Sequence, residues 1–527
     1  MKILVSDQIE ERCREILAAE GYAVDYKPGL SDVELRKIIG GYAGLVVRSA
    51  TQVTAEVISV ATSLKIIGRA GTGVDNIDVE AATRRGILVM NTPGGNTVST
   101  AELTVSMLLS LARNIPHAHA SLVAGRWDRK KFTGTEVSTK TLGIVGLGKI
   151  GREVAIRCQA FGMKTIGYDP LLSEEVALKM NIDLVSLDEL YRRSDFITVH
   201  TPLTPETKGL LNDETLAKCK RGVRLVNCAR GGIIDEQALL RALASGQVAG
   251  AALDVFELEP PTGNPLLAHE HVIVTPHLGA STEEAQEKVA VQIAHQMVDA
   301  FKGRGFAGVV NSAAMELTLE EALKPFLGLA EKMGSFIAQT ISGKLSTVGI
   351  SVQGELLARS IPLLKACVLR GILGHLLPEH VNVINAPFLA EEMGLKLQDQ
   401  APEKESFADS IRISFDGDGE RREVVGTVFG HSTIRIIKLD GFRFEVRPEG
   451  TLLLYNNLDK PGMLARVSSL LAAHGVNIGG VSLGRTSMGK DALTVMNIDG
   501  IIADSTVQEL RKVEGITNLK VVTLSQT

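Results

Sequence analysis

A short apolar run, Thr141-Leu-Gly-Ile-Val145, passes directly into Gly146-Leu-Gly148-Lys-Ile-Gly151 and then into an amphipathic stretch from Arg152 to Phe161. A strand that enters a helix through three glycines at this spacing has few ways to fold. Gly146 permits the tight turn, Gly148 lets backbone approach a phosphate, and Gly151 lets helix and strand pack closely, while the helix N-terminus adds free amide donors and a partial positive charge. The same glycines could serve a turn that binds nothing. Asp169, 18 residues after Gly151 at the end of the next apolar run, favours binding, because a carboxylate there meets the hydroxyls of an adenosine ribose. That carboxylate repels a 2′-phosphate, and the following Pro170-Leu-Leu-Ser-Glu-Glu175 brings no arginine to receive one, so the pattern selects NAD over NADP.

The glycine turn sits in a longer alternation. Strand-like runs at Lys2–Val5, Gly44–Val47, Leu64–Ile67 and Ile87–Met90 are separated by amphipathic segments, the texture of βαβ units. One long helix is expected from Thr97 to about Ala124. Six strands follow, Thr141–Val145, Lys164–Tyr168, Phe196–His200, Arg224–Asn227, Gly250–Val255 and Val272–Thr275, with helices between them, which predicts a doubly wound sheet. The helical pattern of Ser281–Lys302 leads back to the first domain and makes it discontinuous. Beyond 313 the texture changes: helical patterns at Leu317–Ile341 and Leu363–Leu377 precede strands broken by Asp416-Gly-Asp-Gly and Asp440-Gly441, both hairpin signals. The final stretch reads βαββαβ, a ferredoxin-like order. The expected division is 1–96 with 288–312, 97–287, 313–450 and 451–527, in keeping with 527 residues at roughly 150 per domain.

Three further polar residues follow strands of the second sheet, where open α/β folds bind ligands. Arg230, in Asn227-Cys-Ala-Arg-Gly-Gly, offers a planar fork that matches a carboxylate, although a loop arginine is commonly only a surface residue. His277, in Pro276-His-Leu-Gly, would alone be read as a polar loop residue. A nearby glutamate changes that: a carboxylate on one imidazole nitrogen orients the ring and makes the other nitrogen a base. Both Glu257 and Glu259 precede Pro260-Pro261, and the residues alone do not choose between them.

These motifs, with Val47-Arg-Ser-Ala-Thr51, Gly68-Arg-Ala-Gly-Thr-Gly-Val-Asp75, Asn91-Thr-Pro-Gly-Gly-Asn96 and Ala252-Leu-Asp-Val-Phe256, resemble the D-isomer-specific 2-hydroxyacid dehydrogenases in their long form with intervening and ACT domains. The resemblance is dense over about the first 310 residues and continues as domain order in the tail. It implies a substrate domain of flavodoxin-like α/β type, a Rossmann-type NAD domain, an α+β intervening domain and a ferredoxin-like ACT domain. It also implies a catalytic set of Arg230, Glu259 and His277. NAD contacts carry over to Thr72, Gly146, Gly148, Lys149, Ile150, Gly151, Asp169, Thr201, Cys228, Ala229, Arg230, Asp254 and the loop His277, Leu278, Gly279, Ala280. Substrate contacts carry over to Arg48, Ser49, Arg69, Gly73 and Asn96, with Arg129 reaching in from a neighbouring subunit; a solvated basic loop is the other reading of Arg126–Lys131. The implied substrate is 3-phosphoglycerate, and the implied assembly a homotetramer. In the ACT-like tail, Asn457, Asp459 and Asn477 would hold L-serine, against the alternative of a unit used only for oligomerisation. Two other functions stay open: oxidation of an unphosphorylated hydroxyacid such as glycerate, and NAD(H) sensing without catalysis.

Composition narrows the field. The formal net charge of -5, from 56 basic and 61 acidic residues spread along the chain, offers no general surface for nucleic acid. The 5 cysteines are widely spaced, with no C-x-x-C pair, which suits a reducing compartment and no metal. No run of 18 apolar residues predicts a membrane span, and Met-Lys-Ile-Leu-Val-Ser-Asp7 reads as a first strand, so cytoplasm is the expected location. In the intervening region His431, Arg435, Lys438, Arg443 and Arg447 are candidates to bind an anion, with solvated strand edges as the default reading.

Overall fold

The computed structural model describes residues 1–312, 320–341, 345–377, 380–401, 405–417 and 420–525. The expected boundary at 313, the start of the 317–341 helical pattern and the Asp418-Gly419 half of the first hairpin signal lie outside these residues. Among the described residues four sheets carry the fold.

In the first sheet β1 (Lys2–Val5), β2 (Ala23–Tyr26), β3 (Gly44–Val47), β4 (Ile66–Arg69) and β5 (Leu88–Met90) run parallel in the order β2-β1-β3-β4-β5. This is the flavodoxin-like order. β2 escaped the sequence reading because it is a half-exposed edge strand without an apolar run. The second sheet holds β6 (Thr141–Val145), β7 (Lys164–Tyr168), β8 (Asp183–Leu184), β9 (Phe196–Val199), β10 (Val223–Asn227), β11 (Val248–Leu253) and β12 (Val272–Val274), again parallel, in the order β12-β11-β10-β9-β6-β7-β8. The strand order reverses between β6 and β9, which opens the crevice of a Rossmann-type sheet. Seven strands stand where six were expected, since β8 spans only two residues and shows no periodicity.

The long helix expected from Thr97 is two helices, Thr97–Arg113 and Ile115–Val123, because Asn114 adopts a left-handed φ of 55° and Pro116 starts the second. Helix Glu283–Phe301, capped by the Thr282 hydroxyl, returns from β12 to the first sheet. There Met297 and Ile293 press on Gly68 so closely that a Cβ would overlap the Met297 sulfur. Fully burying a side chain such as Met297 contributes about 1.5–3 kcal/mol.

The third sheet comprises β13 (Leu345–Gln353), β14 (Lys396–Asp399), β15 (Ser410–Gly417), β16 (Glu420–Phe429), β17 (Thr433–Leu439) and β18 (Phe442–Val446), ordered β14-β13-β15-β16-β17-β18. Asp440 and Gly441, at φ 47° and 85°, form the predicted hairpin turn joining β17 to β18. The fourth sheet contains β19 (Gly450–Leu458), β20 (Ile478–Arg485), β21 (Asp491–Ile498) and β22 (Ile516–Leu524), ordered β20-β21-β19-β22 with every neighbouring pair antiparallel. Its inner residues Leu453, Tyr455 and Met496 pack with Val467 and Leu510 of its own two helices. Leu452, Leu454 and Val522 on the other face join the apolar cluster of helix Lys324–Thr340. Gln339 of that helix acts as a surrogate strand residue: its Nε2 donates to Thr523 O at 2.9 Å and its Oε1 accepts from Thr523 N at 2.8 Å. The fold class matches the sequence expectation throughout, from flavodoxin-like and Rossmann-type sheets to the ferredoxin-like tail.

Candidate active site

The glycine turn lies at the crevice between β6 and β9. Gly146 takes φ 90°, and a Cβ on it would lie 2.6 Å from His200 O; a Cβ on Gly151 would overlap Gly146 O. Backbone therefore forbids a side chain at either position, whereas Gly148 has open space in front of it. Asp169 follows β7, and its Oδ2 accepts from Leu147 N at 2.8 Å while Oδ1 accepts from Leu171 N at 2.9 Å. One bond per oxygen leaves lone pairs for hydroxyl donors. Thr201, just beyond β9, buries an Oγ1 that has no hydrogen-bond partner, a rare state that points to a ligand group. Ile150 is half-buried, and the exposed Lys149 amine lies beside Gly94 of the facing domain. An open glycine cradle, an orphaned hydroxyl and an incompletely used carboxylate fit NAD.

Residues the sequence reading missed build the other wall. Asn227 ends β10, and its side chain grips the next turn, Oδ1 accepting from Ala229 N at 3.0 Å and Nδ2 donating to Arg230 O at 2.8 Å. This projects Arg230 into the cleft. Cys228 is buried, which pushes its thiol up to about 12. Asp254, after β11, has no exposed surface; its oxygens accept from Thr275 Oγ1 at 2.6 Å, Leu278 N at 2.7 Å and Gly279 N at 2.9 Å. Burial raises its carboxyl above the ordinary value although these bonds oppose the rise. Ser99 and Thr100 hydroxyls donate to Gly279 O at 3.0 and 2.9 Å, so the loop His277, Leu278, Gly279, Ala280 is held from both sides. A polar residue at a strand end was the available signal for Asn227 and Thr275, and it is too common to single them out.

At the mouth of this loop His277 Nδ1 lies 2.7 Å from Glu259 Oε2, and Glu259 Oε1 accepts from Phe256 N at 3.1 Å. Burial pushes the Glu259 carboxyl up, but the His277 hydrogen bond and charge and the Phe256 amide outweigh it, and the net position is below the ordinary carboxylate value. An ionised carboxylate only accepts, so Nδ1 carries the hydrogen on this side, and in the neutral ring the lone pair belongs to Nε2. Glu257 faces elsewhere, exchanging bonds with Glu236. Glu259 is the glutamate beside His277.

Arginines converge on the same space. Arg69 Nε donates to Asn76 Oδ1 at 3.0 Å, and Arg230 Nε donates to Asp75 Oδ2 at 3.1 Å. Burial, then the charge of Arg230, with a smaller contribution from Arg48, lower Arg69 to about 10 while Asp75 opposes the fall. Guanidinium groups that repel one another in a cleft are poised to take an anion. Gly73 lies under Arg230, where a Cβ would overlap Nη2. Thr72 Oγ1 donates to Asn96 Oδ1 at 2.8 Å, so the residue expected at the cofactor and the one expected at the substrate bond to each other. Ser49 is exposed at the rim, and Arg129 lies on an exposed loop with no ion pair among the described residues.

Family models match in three places: the NAD binding domain of D-isomer specific 2-hydroxyacid dehydrogenases over residues 105–279, the D-3-phosphoglycerate dehydrogenase intervening domain over 322–440 and the ACT domain over 451–515. D-3-phosphoglycerate dehydrogenase of Methanocaldococcus jannaschii is 41% identical, with 99% of this chain and 100% of that protein covered. The Homo sapiens enzyme of that name is 49% identical over 90% and 91% of the two chains. The chain belongs to the D-3-phosphoglycerate dehydrogenase family. Among solved structures, Aquifex aeolicus D-lactate dehydrogenase complexed with NAD and lactic acid is similar at TM-score 0.52 and 30% identity over 57% of this chain and 96% of that one. A glyoxylate reductase from Paecilomyes thermophila is similar at TM-score 0.55 and 31% identity, covering 59% and 98%.

In the ACT unit Asp459 opens the loop after β19, where Oδ2 accepts from Arg485 Nη1 at 2.9 Å and from Gly489 N at 3.1 Å. Asn477 precedes β20 and donates from Nδ2 to Asp499 Oδ2 at 2.6 Å. β19 and β20 are both antiparallel to β21, so they point the same way, and the end of β19 lies level with the end of β20 and away from its start. Asp459 meets Arg485 at the far end of β20, roughly 25 Å from Asn477 at about 3.3 Å per residue. The two residues of one chain therefore cannot share a serine between them. Asn457 is buried, with Oδ1 accepting from Thr494 Oγ1 at 3.1 Å. In the third sheet Arg435 pairs with Glu445 at 2.9 Å and Lys438 with Glu423 at 3.0 Å, both from β17, an inner strand flanked by β16 and β18, so for these two residues the solvated-edge reading does not hold.

Proposed function

We propose that the chain oxidises 3-phospho-D-glycerate to 3-phosphohydroxypyruvate with NAD, the first step of phosphorylated L-serine biosynthesis. The observation that carries this reading is the His277–Glu259 pair at 2.7 Å facing a cleft into which Arg69 and Arg230 converge from different domains. Arg230 holds the substrate carboxylate and polarises the carbonyl that develops at C2. Arg48 and Arg69 face the phosphate, with Ser49, Gly73 and Asn96 shaping the approach. Nε2 of His277 accepts the C2 hydroxyl proton, and Glu259 stabilises the imidazolium that forms. The bound dinucleotide supplies the hydride acceptor. Asp169 holds its ribose, Thr201, Lys149 and Ile150 line its phosphates, and Asp254 with Thr72, Cys228, Ala229 and the 277–280 loop set the nicotinamide end.

L-serine, the end product of that route, is the proposed effector, held by Asp459 of one copy and Asn477 of another, with Asn457 shaping the pocket from within. The register of β19 and β20, which keeps the two residues of one copy apart, supports this division. It accompanies a homotetramer in which a neighbour's Arg129 reaches the phosphate. Among the described residues no helix is long and apolar enough to cross a membrane and no metal-holding cluster occurs. The cysteines are free and buried, which supports cytoplasmic residence. The reading is tested by following NADH formation with 3-phosphoglycerate, with and without serine, and identifying the keto acid formed. Turnover is expected with slowing by serine; no turnover overturns the activity, and turnover indifferent to serine overturns the effector.

A further inference from the structure

Arg230 is usually thought of through the anion it meets, but the structure also shows what holds it. Its Nε donates to Asp75 Oδ2 at 3.1 Å and its Nη1 to Ala229 O at 2.7 Å. A guanidinium has five N–H donors, so these two bonds leave one at Nη1 and both at Nη2, the fork that matches a carboxylate. Beneath Nη2 lies Gly73, where a Cβ would overlap it, so the floor of the fork is shut to any side chain. Asp75 thus grips the back edge of the guanidinium and leaves its working edge clear.

Further observations bear on what this contact does. Asp75 belongs to the first domain and Arg230 to the second, so the bond crosses the cleft. Its side chain is 71% exposed, too exposed for the pair to matter much to stability. Asp7, the other acid near these arginines, is buried and its oxygens are taken by Arg48 N and by the amide and hydroxyl of Thr51. The next residue, Asn76, does for Arg69 what Asp75 does for Arg230: its Oδ1 accepts from Arg69 Nε at 3.0 Å while its Nδ2 is anchored on Arg48 O and Thr51 O at 2.8 and 2.7 Å. Two consecutive side chains therefore aim two arginines from different domains into one space. Asp75 also offsets the repulsion that Arg230 imposes on Arg69.

We propose that Asp75 is a positioning residue for the proposed reaction, fixing the plane of the Arg230 guanidinium across the cleft so that its free fork meets the substrate carboxylate. The inference rests on the functional reading above. Asp75 touches neither substrate nor cofactor in this role; it acts through Arg230.

The test is a double-mutant cycle in the full chain, pairing Asp75→Asn with Arg230→Gln. It is read as kcat/KM for 3-phosphoglycerate and as equilibrium affinity for 3-phosphoglycerate by calorimetry, so that a slow background still gives an answer. Misplacing a bidentate clamp costs on the order of 10–100-fold, and Asp75→Asn is expected to lose that much in the Arg230 background, with NADH affinity and Tm unchanged. In the Arg230→Gln background the same change is expected to cost less than about 2-fold, because the side chain it positions is gone. Asp75→Glu, which keeps the charge and the acceptor, is expected to recover part of the loss. Equal losses in both backgrounds, or an Asp75→Asn enzyme as active as the unaltered one, overturn the inference while leaving the activity standing. An unaltered chain that does not turn over 3-phosphoglycerate overturns the functional reading and this inference together.

Discussion

The second and fourth sheets treat their polar landmarks in opposite ways. In the second sheet Arg230, Glu259 and His277 follow different strands across almost fifty residues, yet His277 and Glu259 touch and Arg230 faces the same cleft. In the fourth, Asp459 and Asn477 are 18 residues apart, the same separation as Glu259 and His277, yet lie toward opposite ends of β20. The cause is strand direction. A parallel sheet sends every strand end to one edge, so any loop after a strand reaches the same crevice. Asp459 follows β19 but Asn477 precedes β20, and because these two strands run the same way, a motif after one and a motif before the other fall at opposite edges and do not meet within a chain.

The largest effect should come from the convergent end. His277→Ala is expected to cost about 10³–10⁴-fold or more in kcat, the scale of losing a general base, with NADH affinity by fluorescence titration nearly intact. A variant with normal turnover would show that convergence alone does not make His277 the base. Next, Glu259→Gln is expected to lose about 10²-fold in kcat/KM while Glu257→Gln stays near the unaltered rate, since only Glu259 bonds His277. Equal losses would erase the distinction drawn here. The pH dependence has a definite sign. Glu259 sits below the ordinary carboxylate value, so its stabilising pairing with His277 is present above that range and is lost as pH falls through the lowered folded value. Glu259→Gln should flatten the acid limb of a stability-against-pH curve measured by thermal melting.

How much of this was legible beforehand follows the same division. The glycine turn, Asp169, Arg230 and His277 could be read because each sits just after a strand and parallel topology sends all of them to one crevice. The choice of Glu259 over Glu257 needed the fold, because both precede Pro260 and only the turn after Phe256 decides which carboxylate faces the ring. Asn227, Thr275, Asp75 and Asn76 were invisible for another reason: short polar residues near strand ends serve turns far more often than sites, and their roles lie in contacts across 3 to 155 residues. β8 and the break at Asn114 were missed because one is too short for a period and the other turns on a single backbone angle.

A smaller effect sharpens the divergent end. Asp459→Ala and Asn477→Ala homomers are each expected to lose serine binding by calorimetry, whereas mixed assemblies of the two variants should regain part of it, because some sites then draw an intact residue from each copy. Mixtures with no recovery would contradict the division between copies. Smallest of all, Gln339→Ala removes two hydrogen bonds to Thr523 and should lower stability by about 1–3 kcal/mol in a denaturant titration, without altering turnover in the cleft.

The account stands most directly on the anion-binding cleft, and the ratio of kcat/KM for 3-phosphoglycerate to that for D-glycerate measures it. Arginines from both domains imply that the phosphorylated acid is favoured by at least about 10²-fold, since two or more charge-assisted hydrogen bonds are lost with the phosphate. Equal efficiency with both acids would contradict it.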